Sequence, residues 1–158
     1  MNRLDIAPVL GLAIVSCVSL ADMCPPAGVS REELLQLRAR QFQVEDPQQT
    51  GDLALSLLPC LASSDAQLRD GVAYEALASW MRGKQLPAST AGVILERLLP
   101  QVDPEFPDGE GFVKPFSALV LAEVARMDRI EPWLGDAQLD HLLQAAARYL
   151  RSVDDYRG

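Results

Sequence analysis

The amino-acid sequence predicts an all-α protein, and three observations favour this fold class. Apolar residues recur at the spacing of an amphipathic helix in six segments, which are separated by turns rich in Pro, Gly, Ser and Asp. Hydrophobic residues make up 49% of the 158 residues but aromatic residues only 6%, so we expect a core mainly of Leu, Ala and Val, which suits helices. Runs of β-branched residues, which favour strands, are nearly absent.

Several of the predicted helices begin or end at recognisable capping residues. Ser30 stands three residues before a glutamate, which is the spacing of a capping box, and Asp46 precedes a proline that opens the second helix. Gly83 is expected to cap the C-terminus of the third helix, and Asp136 is expected to cap the N-terminus of the sixth. The six predicted helices lie near residues 30–42, 47–61, 69–82, 88–99, 114–127 and 137–153.

The connections between these helices indicate how they pack. Most are short, which favours consecutive antiparallel pairs, so we expect a HEAT-like stack of antiparallel helical hairpins, with a closed helical bundle as the alternative. The longest connection, residues 101–110, holds four acidic residues and two prolines. Its order of oxygen ligands does not match a calcium loop, so we interpret it as a solvated connection, with cation binding as the alternative. The fifth helix is expected to follow Pro115 and to break at residues 128–135.

The N-terminus has the features of a secretory signal peptide. An apolar run from Ile6 to Leu20 is too short to span a bilayer comfortably and fits the apolar region of such a peptide. Ser19 and Ala21 supply small residues at the two positions that signal peptidase reads. We therefore expect residues 1–21 to be removed, and the mature chain to begin at Asp22 in the periplasm or outside the cell.

Two other interpretations apply to the same segment. Residues 14–17 resemble a bacterial lipoprotein box, so cleavage before Cys17 and a lipid anchor there form an alternative. A buried first helix is disfavoured because Pro8 and Gly11 interrupt the apolar run.

The two cysteines of the predicted mature chain are expected to form a disulfide. Residues 22–29 form a Pro-rich N-terminal segment that contains Cys24, and residues 30–158 form a single α-helical domain with Cys60 at the end of its second helix. An even number of cysteines in an oxidising compartment favours pairing. Two unpaired buried thiols are the alternative, and two cysteines offer too few ligands for structural zinc.

The formal net charge of -8 excludes some classes of partner. Affinity for DNA or RNA comes from Lys and Arg side chains that neutralise phosphates, and no basic cluster offsets the acidic balance, so no nucleic acid is expected to bind. An anionic membrane surface is disfavoured for the same reason, and no membrane contact is expected beyond the signal peptide. The acidity is interpreted as a contribution to solubility.

The sequence contains no recognisable catalytic, metal-binding or cofactor-binding constellation. Phosphate loops, nucleophile elbows, zinc signatures and dinucleotide fingerprints are all missing from the sequence, so we expect no cofactor and favour a protein without catalysis. The single histidine, His141, is interpreted as a surface or boundary residue because no second His or Cys accompanies it. Trp80 and Trp133 are interpreted as core or turn anchors.

One cluster on the third helix is a candidate binding site. Asp70 and Tyr74 stand one turn apart on its polar side, next to Arg69, where a carboxylate and a phenol are able to line a groove. A capping or inter-helix hydrogen bond is the alternative role for these three residues.

The last predicted helix carries the cleanest apolar stripe of the chain, and this stripe is wider than one antiparallel neighbour needs. We expect part of it to be exposed, since a terminal helix pair is normally covered by a polar outer face and little chain follows this helix. The alternative is that the fifth helix and the acidic connection bury all of it. The stripe consists of Leu139, Leu142, Leu143, Ala146, Tyr149, Leu150 and Val153.

Several stretches, in the same order, resemble an uncharacterised bacterial family, domain of unknown function 2785, over roughly residues 60–158. At Lys114–Pro115 the chain departs from the family pattern, which has Arg-Ser before the Phe-Ser pair, so no role is assigned there. The matching stretches are Leu68–Leu77, Phe116–Ala122, Asp128–Arg129, Tyr149–Leu150 and Asp155–Gly158.

The resemblance implies an α-helical fold and no established activity, and it leaves two hypotheses for function. The first is an exported helical-repeat domain that binds a protein or peptide along a groove without catalysis. In the family, the final Arg-Gly pair leads into a segment rich in Trp, His and Asp, whereas this sequence stops at Gly158. The second hypothesis is therefore a truncated copy, whose enzymatic or metal-dependent site lies in the missing C-terminal segment.

Overall fold

The computed structural model describes residues 20–154, and the fold of this part of the chain is all-α, as predicted. No strand occurs within these residues. Most of the predicted signal peptide, with Cys17, lies outside the described residues, as do residues 155–158. The α-helices are α1 (Arg31–Ala39), α2 (Pro47–Leu57), α3 (Ala66–Leu68), α4 (Glu75–Arg82), α5 (Ala88–Leu98), α6 (Val113–Ile130) and α7 (Asp136–Ser152).

Tighter and wider turns extend several of these helices. A π-helical turn, Arg69–Tyr74, joins α3 to α4, so the third predicted helix starts earlier than expected, at the cap residue Asp65. The 3₁₀ turns Leu58–Ala62 and Leu99–Val102 follow α2 and α5. Each contains a proline near its start, which is compatible with a first turn but not with a continuing α-helix.

The core lies between α2, α4, α5 and α6. Helix α4 packs against α2 on one side and α6 on the other, and α5 contacts both α2 and α6. Trp80 on α4 is fully buried, and its indole N–H donates a hydrogen bond of 2.8 Å to the carbonyl of Phe42. The Phe42 ring meets the Trp80 ring edge to face at 6.3 Å, so the turn after α1 is anchored on α4. Whether the pairs form a repeat stack or a bundle stays a prediction.

The caps at Ser30 and Asp46 are confirmed, but the end of α1 differs from the prediction. Helix α1 ends at Ala39 rather than near Phe42, because Gln41 and Phe42 adopt left-handed conformations (φ 55° and 59°) that bring the Phe42 ring into the core. Gly83 caps α4 as expected, although the left-handed residue there is Lys84 (φ 57°).

The boundaries of α6 were also predicted wrongly. The helix starts at Val113, with Pro115 inside its first turn, where a missing N–H removes no intrahelical hydrogen bond. Its first N–H groups bind instead to the carboxylate of Asp108, which accepts from Val113 at 3.0 Å and from Lys114 at 2.9 Å. Part of the acidic connection therefore acts as a helix cap.

Helix α6 also continues through the predicted break at Asp128 and ends at Ile130. The Asp128 carboxylate accepts hydrogen bonds from the backbone N–H groups of Trp133 and Leu134, both at 2.8 Å, and so orders the link to α7. Gly135 is the N-cap of α7, and Asp136, the predicted cap, is the first helical residue. The Gln138 side chain accepts from the Gly135 N–H at 3.2 Å.

A disulfide joins Cys24 to Cys60, as the cysteine count predicted. The Cα atoms lie 4.9 Å apart, and Cys60 is fully buried. The bond holds the Pro-rich N-terminal segment against the 3₁₀ turn that follows α2. None of the helices in residues 20–154 is long and apolar enough to cross a membrane.

Loss of the disulfide is expected to lower the free energy of unfolding by about 3–4 kcal/mol, because the bond closes a loop of 36 residues in the unfolded chain. Urea denaturation of the variant Cys24→Ser/Cys60→Ser, compared with the wild type, measures this loss. A reductant should lower the stability of the wild type to the level of the double variant and leave the variant unchanged. A reductant-insensitive wild type would contradict the pairing.

The Asp128 carboxylate is expected to make stability depend on pH. Hydrogen bonds from the backbone N–H groups of Leu134 and Trp133 lower its pKa from the usual 3.8, so its contribution is present above that pH and is lost as the pH falls through the lowered pKa. Asp128→Ala should destabilise the protein by about 1 kcal/mol near neutral pH. The gap between variant and wild type should close in strong acid, as measured by urea denaturation at several pH values.

The matched control for this prediction is Glu96→Ala, which removes an exposed carboxylate from α5. Its effect on stability should be small at every pH, since exposed substitutions away from caps rarely matter. A difference between Asp128→Ala and the wild type that does not vary with pH would contradict the assigned role.

Candidate functional site

The three residues proposed as a binding cluster lie together around the rings of Phe112 and Phe116. The Arg69 guanidinium is buried, with 9% of its side chain exposed, and lies 3.8 Å from the centroid of the Phe112 ring. Its Nη1 donates to the carbonyl of Ser63 at 3.0 Å, and its Nε donates to Asp70 at 2.6 Å. Arg69 thus links the π-helical turn to the start of α6 by charge-assisted hydrogen bonds and cation–π contacts.

The other two members of the cluster are more accessible. Half of the Asp70 side chain is exposed (51%), while Tyr74 is half-buried with its ring edge-on to Phe116 at 6.3 Å. Nearby, Gly71 allows Arg38 to cross the turn, because a Cβ atom there would lie 2.8 Å from the Arg38 guanidinium. Arg69 and Tyr74 thus contact the start of α6 through Phe112 and Phe116. The role of the cluster in binding stays a prediction.

An ion pair between an exposed arginine and a buried glutamate fixes one face of α6 against α4. Arg82 at the end of α4 donates from Nε to Glu123 at 3.0 Å and makes a second, shorter contact from Nη2, while Glu123 itself is buried. The hydrogen bonds from Arg82 to Glu123 raise the pKa of the arginine. Because this face of α6 is occupied, only its other faces are available to a partner.

An apolar groove lies on another face of α6, between α6 and α7. Helix α7 packs mainly against the 3₁₀ turn Leu99–Val102 rather than along α6, so the two helices leave a groove of about 540 Å³ between them. Three alanines of α6 line it, and Leu121 and Leu142 lie buried at its base. Its lining consists of Val102, Pro115, Ala118, Leu119, Leu121, Ala122, Ala125, Leu142, Leu143, Ala146, Tyr149 and Leu150.

The groove confirms the expectation that part of the apolar stripe on the last helix is exposed. Leu143 and Leu150 are 58% and 56% exposed, whereas Leu142 is buried. Leu119 on α6 adds a third exposed leucine (44%) to the same groove. The alternative, in which α6 and the acidic connection bury the whole stripe, is therefore wrong. The sequence did not reveal the alanines of α6, because their stripe resembles an ordinary core face.

Other features near these helices do not form a second candidate site. His141 is exposed on α7, in agreement with its interpretation as a surface residue. Trp80 is a core residue, whereas Trp133 lies half-buried in the link between α6 and α7. The indole N–H of Trp133 has no hydrogen-bond partner among residues 20–154. Within residues 20–154 no group of three or more His, Cys, Asp or Glu side chains is placed to hold a metal ion.

The C-terminal part of the chain, which contains the groove, is similar to one protein family. The family described as "Protein of unknown function (DUF2785)" matches residues 107–158, about a third of the chain. No curated protein and no solved structure matches this sequence. The resemblance found in the sequence is thus confirmed from the acidic connection onwards, while the similar stretch Leu68–Leu77 lies outside the match. The matched residues include both helices that form the groove, and the family carries no known activity.

Proposed function

We propose that this protein is a non-catalytic interaction domain that holds an amphipathic helix of a partner protein in the groove between α6 and α7. The observation that carries this proposal is the exposure of three leucines, Leu119, Leu143 and Leu150, around one apolar groove. Fully burying a leucine stabilises by about 1.5–3 kcal/mol, so a partner that covers these side chains gains binding energy from the site. Exposed apolar patches of this kind are typical of protein-binding surfaces.

The shape of the groove favours a helix over an extended peptide. The side of α6 that lines the groove carries short side chains, since three alanines follow one another there at the i, i+4, i+7 spacing of a single helix face. They are Ala118, Ala122 and Ala125. Small residues allow a second helix to approach closely, at about 8–10 Å between axes. An extended peptide that binds by strand addition requires an unpaired sheet edge, which helices α6 and α7 do not offer.

The HEAT-like arrangement belongs to the same proposal. In stacked helical hairpins each pair of helices buries an apolar face against the next pair. A helix from a partner protein is able to take the place of that next pair. Helices α6 and α7 form the last described pair, and α7 contributes only Leu142 and Ala145 to the buried residues. The groove is therefore the place where another helix would continue the stacking.

We also propose that the protein acts after export, in the periplasm or outside the cell. The apolar N-terminal run and the small residues at Ser19 and Ala21 support this, together with the Cys24–Cys60 disulfide, since disulfides persist in oxidising compartments. Export of a lipid-anchored form through Cys17 remains the alternative within this proposal.

N-terminal sequencing of the protein purified from the periplasm or culture medium of a bacterial host tests export. The expected first residue is Asp22, because cleavage follows Ala21. A chain with a lipid-modified Cys17 at its N-terminus supports the alternative anchor. An intact Met1 on cytoplasmic protein contradicts both forms of the proposal.

Binding of a fluorescein-labelled amphipathic peptide tests the groove. The peptide carries leucines along one helical face, and fluorescence anisotropy should show saturable binding to the wild type. Leu143→Glu and Ala122→Glu each place a charge in the groove and are expected to weaken binding by about tenfold or more, because a buried unpaired charge is costly. Both positions are exposed, so both variants should fold.

Two controls distinguish peptide binding in the groove from nonspecific hydrophobic binding elsewhere on the protein. Ile130→Glu changes a side chain of similar exposure (50%) outside the lining of the groove and should leave the affinity unchanged. A peptide of the same composition with its leucines spread around the helix should bind weakly. No saturable binding, or equal losses in Ile130→Glu and Leu143→Glu, would contradict the proposed function.

A further inference from the structure

We propose that the partner helix in the groove is acidic along the edge that lies over α6 and basic along the edge that lies over α7. This inference rests on the proposed function, since it requires that the groove accept a helix, and it states the chemistry of the helix that fits. The observation behind it is a pair of opposite charges, Arg129 on α6 and Asp136 on α7, which flank the groove at one of its ends.

Arg129 is the charged continuation of the alanine stripe on α6. It follows the three alanines that line the groove at the i, i+4, i+7, i+11 spacing, so all four residues lie on one face of the helix. One turn, or about 6 Å along the axis, separates Arg129 from Ala125. Arg129 is exposed and forms no ion pair with any residue that the structure describes. The α6 wall of the groove therefore ends in an available positive charge.

The other charged residues of α6 do not cancel this charge in the groove. Glu123 is bonded to α4, and the Asp128 carboxylate accepts hydrogen bonds from the link to α7. Lys114 donates to a backbone carbonyl of the acidic connection, and Arg126 lines a different cleft, together with residues of α4 and the link. Arg129 thus sets the sign of the α6 wall.

Asp136 has the corresponding place on α7. It precedes Leu143 by seven residues, just as Leu143 precedes Leu150, so the three residues lie nearly on one line along the helix. Asp136 stands about 10 Å before Leu143 along the axis, at the start of α7. It is exposed, and its carboxylate forms no ion pair within the described part of the chain. The α7 wall therefore ends in a negative charge.

The other charged residues of α7 lie away from the groove. Arg148 and His141 line a different cleft, beside the 3₁₀ turn that follows α5. With about 100° of rotation per residue, Asp140 and Arg151 lie about 60° and 80° from Leu143, on the edge of α7 that is turned away from the groove. These two residues are opposite in sign, so they do not change the sign of the wall.

The two charges stand at the same end of the groove. Helix α6 ends at Ile130, one residue after Arg129, and α7 begins at Asp136, so both charges flank the link between the helices. They form no ion pair with each other, and each is available to a third helix that lies between them. The edges of that helix meet the two walls as e and g residues do in a coiled coil.

These charges select the partner and its direction rather than supply most of the affinity. Exposed ion pairs contribute little to binding energy, whereas mismatched charges discriminate strongly between partners. A helix with one acidic and one basic edge places the acidic edge next to Arg129 in only one of the two directions along the groove. In the opposite direction both edges meet like charges. The leucines are thus expected to hold the partner helix, and the charges to orient it.

Two fluorescein-labelled peptides test the charge pattern. Both carry the same leucines on one helical face. The charged peptide has glutamates along one edge of that face and lysines along the other, and the neutral peptide has glutamine at all of these positions. At low ionic strength, fluorescence anisotropy should show that the charged peptide binds the wild type about fivefold more tightly than the neutral peptide. This preference should disappear in about 1 M salt, which screens exposed charges.

Charge reversal in the protein tests the two walls. Arg129→Glu and Asp136→Lys should each remove the preference for the charged peptide, because one edge then meets a like charge in either direction. The double variant Arg129→Glu/Asp136→Lys exchanges the two signs, so the charged peptide should bind in the reverse direction and regain its preference. The matched control is Arg97→Glu, which makes the same charge change on an exposed residue of α5 and should leave the preference intact. Unchanged affinity for the neutral peptide shows that a variant retains its groove.

The outcomes separate this inference from the proposed function. The charge pattern is overturned if the charged peptide binds the wild type no more tightly than the neutral peptide, or if its preference survives Arg129→Glu. A double variant that binds the neutral peptide but has no preference for the charged one overturns it as well. If the neutral peptide binds and Leu143→Glu weakens that binding, the proposed function stands in each of these cases. If neither peptide shows saturable binding, both fail.

Discussion

The carboxylate of Asp128 controls where α7 leaves the body of the protein. By accepting two backbone N–H groups, from Trp133 and Leu134, it holds the link in a fixed course at the end of α6. Helix α7 then turns onto the 3₁₀ turn Leu99–Val102 instead of running closely along α6. The groove exists because of this course, since a tighter antiparallel hairpin would bury the exposed leucines against α6 itself.

The sequence predicted six helices at approximately the observed places, with α3, the π-helical turn and α4 forming one of them. It did so because apolar periodicity reflects which face of each helix is buried. It failed where one side chain bonds to backbone several residues away. Asp128 looked like a helix breaker, yet it lies inside α6 and caps the link beyond it. Asp108 looked like a solvated loop residue, yet it caps the start of α6. Such bonds depend on tertiary geometry rather than on spacing.

Only half of the candidate site was visible in the sequence. The apolar stripe of α7 was recognisable because it is wider than one neighbour requires, and Leu143 and Leu150 are exposed as expected. The alanines of α6 were not recognisable, since Ala118 and Ala122 have the same pattern whether they face a core or an open groove. The cluster at Arg69 differs, because its residues are adjacent in the sequence and so suggested a site. The contact of Arg69 with Phe112 was not predictable, since it depends on the course of a distant loop.

The two ends of the described chain are held by different means, and this difference bears on how the groove works. The N-terminal segment is tied by a covalent bond between Cys24 and Cys60, whereas α7 is held by few buried side chains and by the link that Asp128 caps. An element held by few buried side chains opens locally at a small cost in free energy, and binding of a partner stabilises its folded conformation by mass action. Binding in the groove, as proposed, is thus expected to stabilise α7, since Leu142 is buried beneath the groove and Leu143 beside it is exposed.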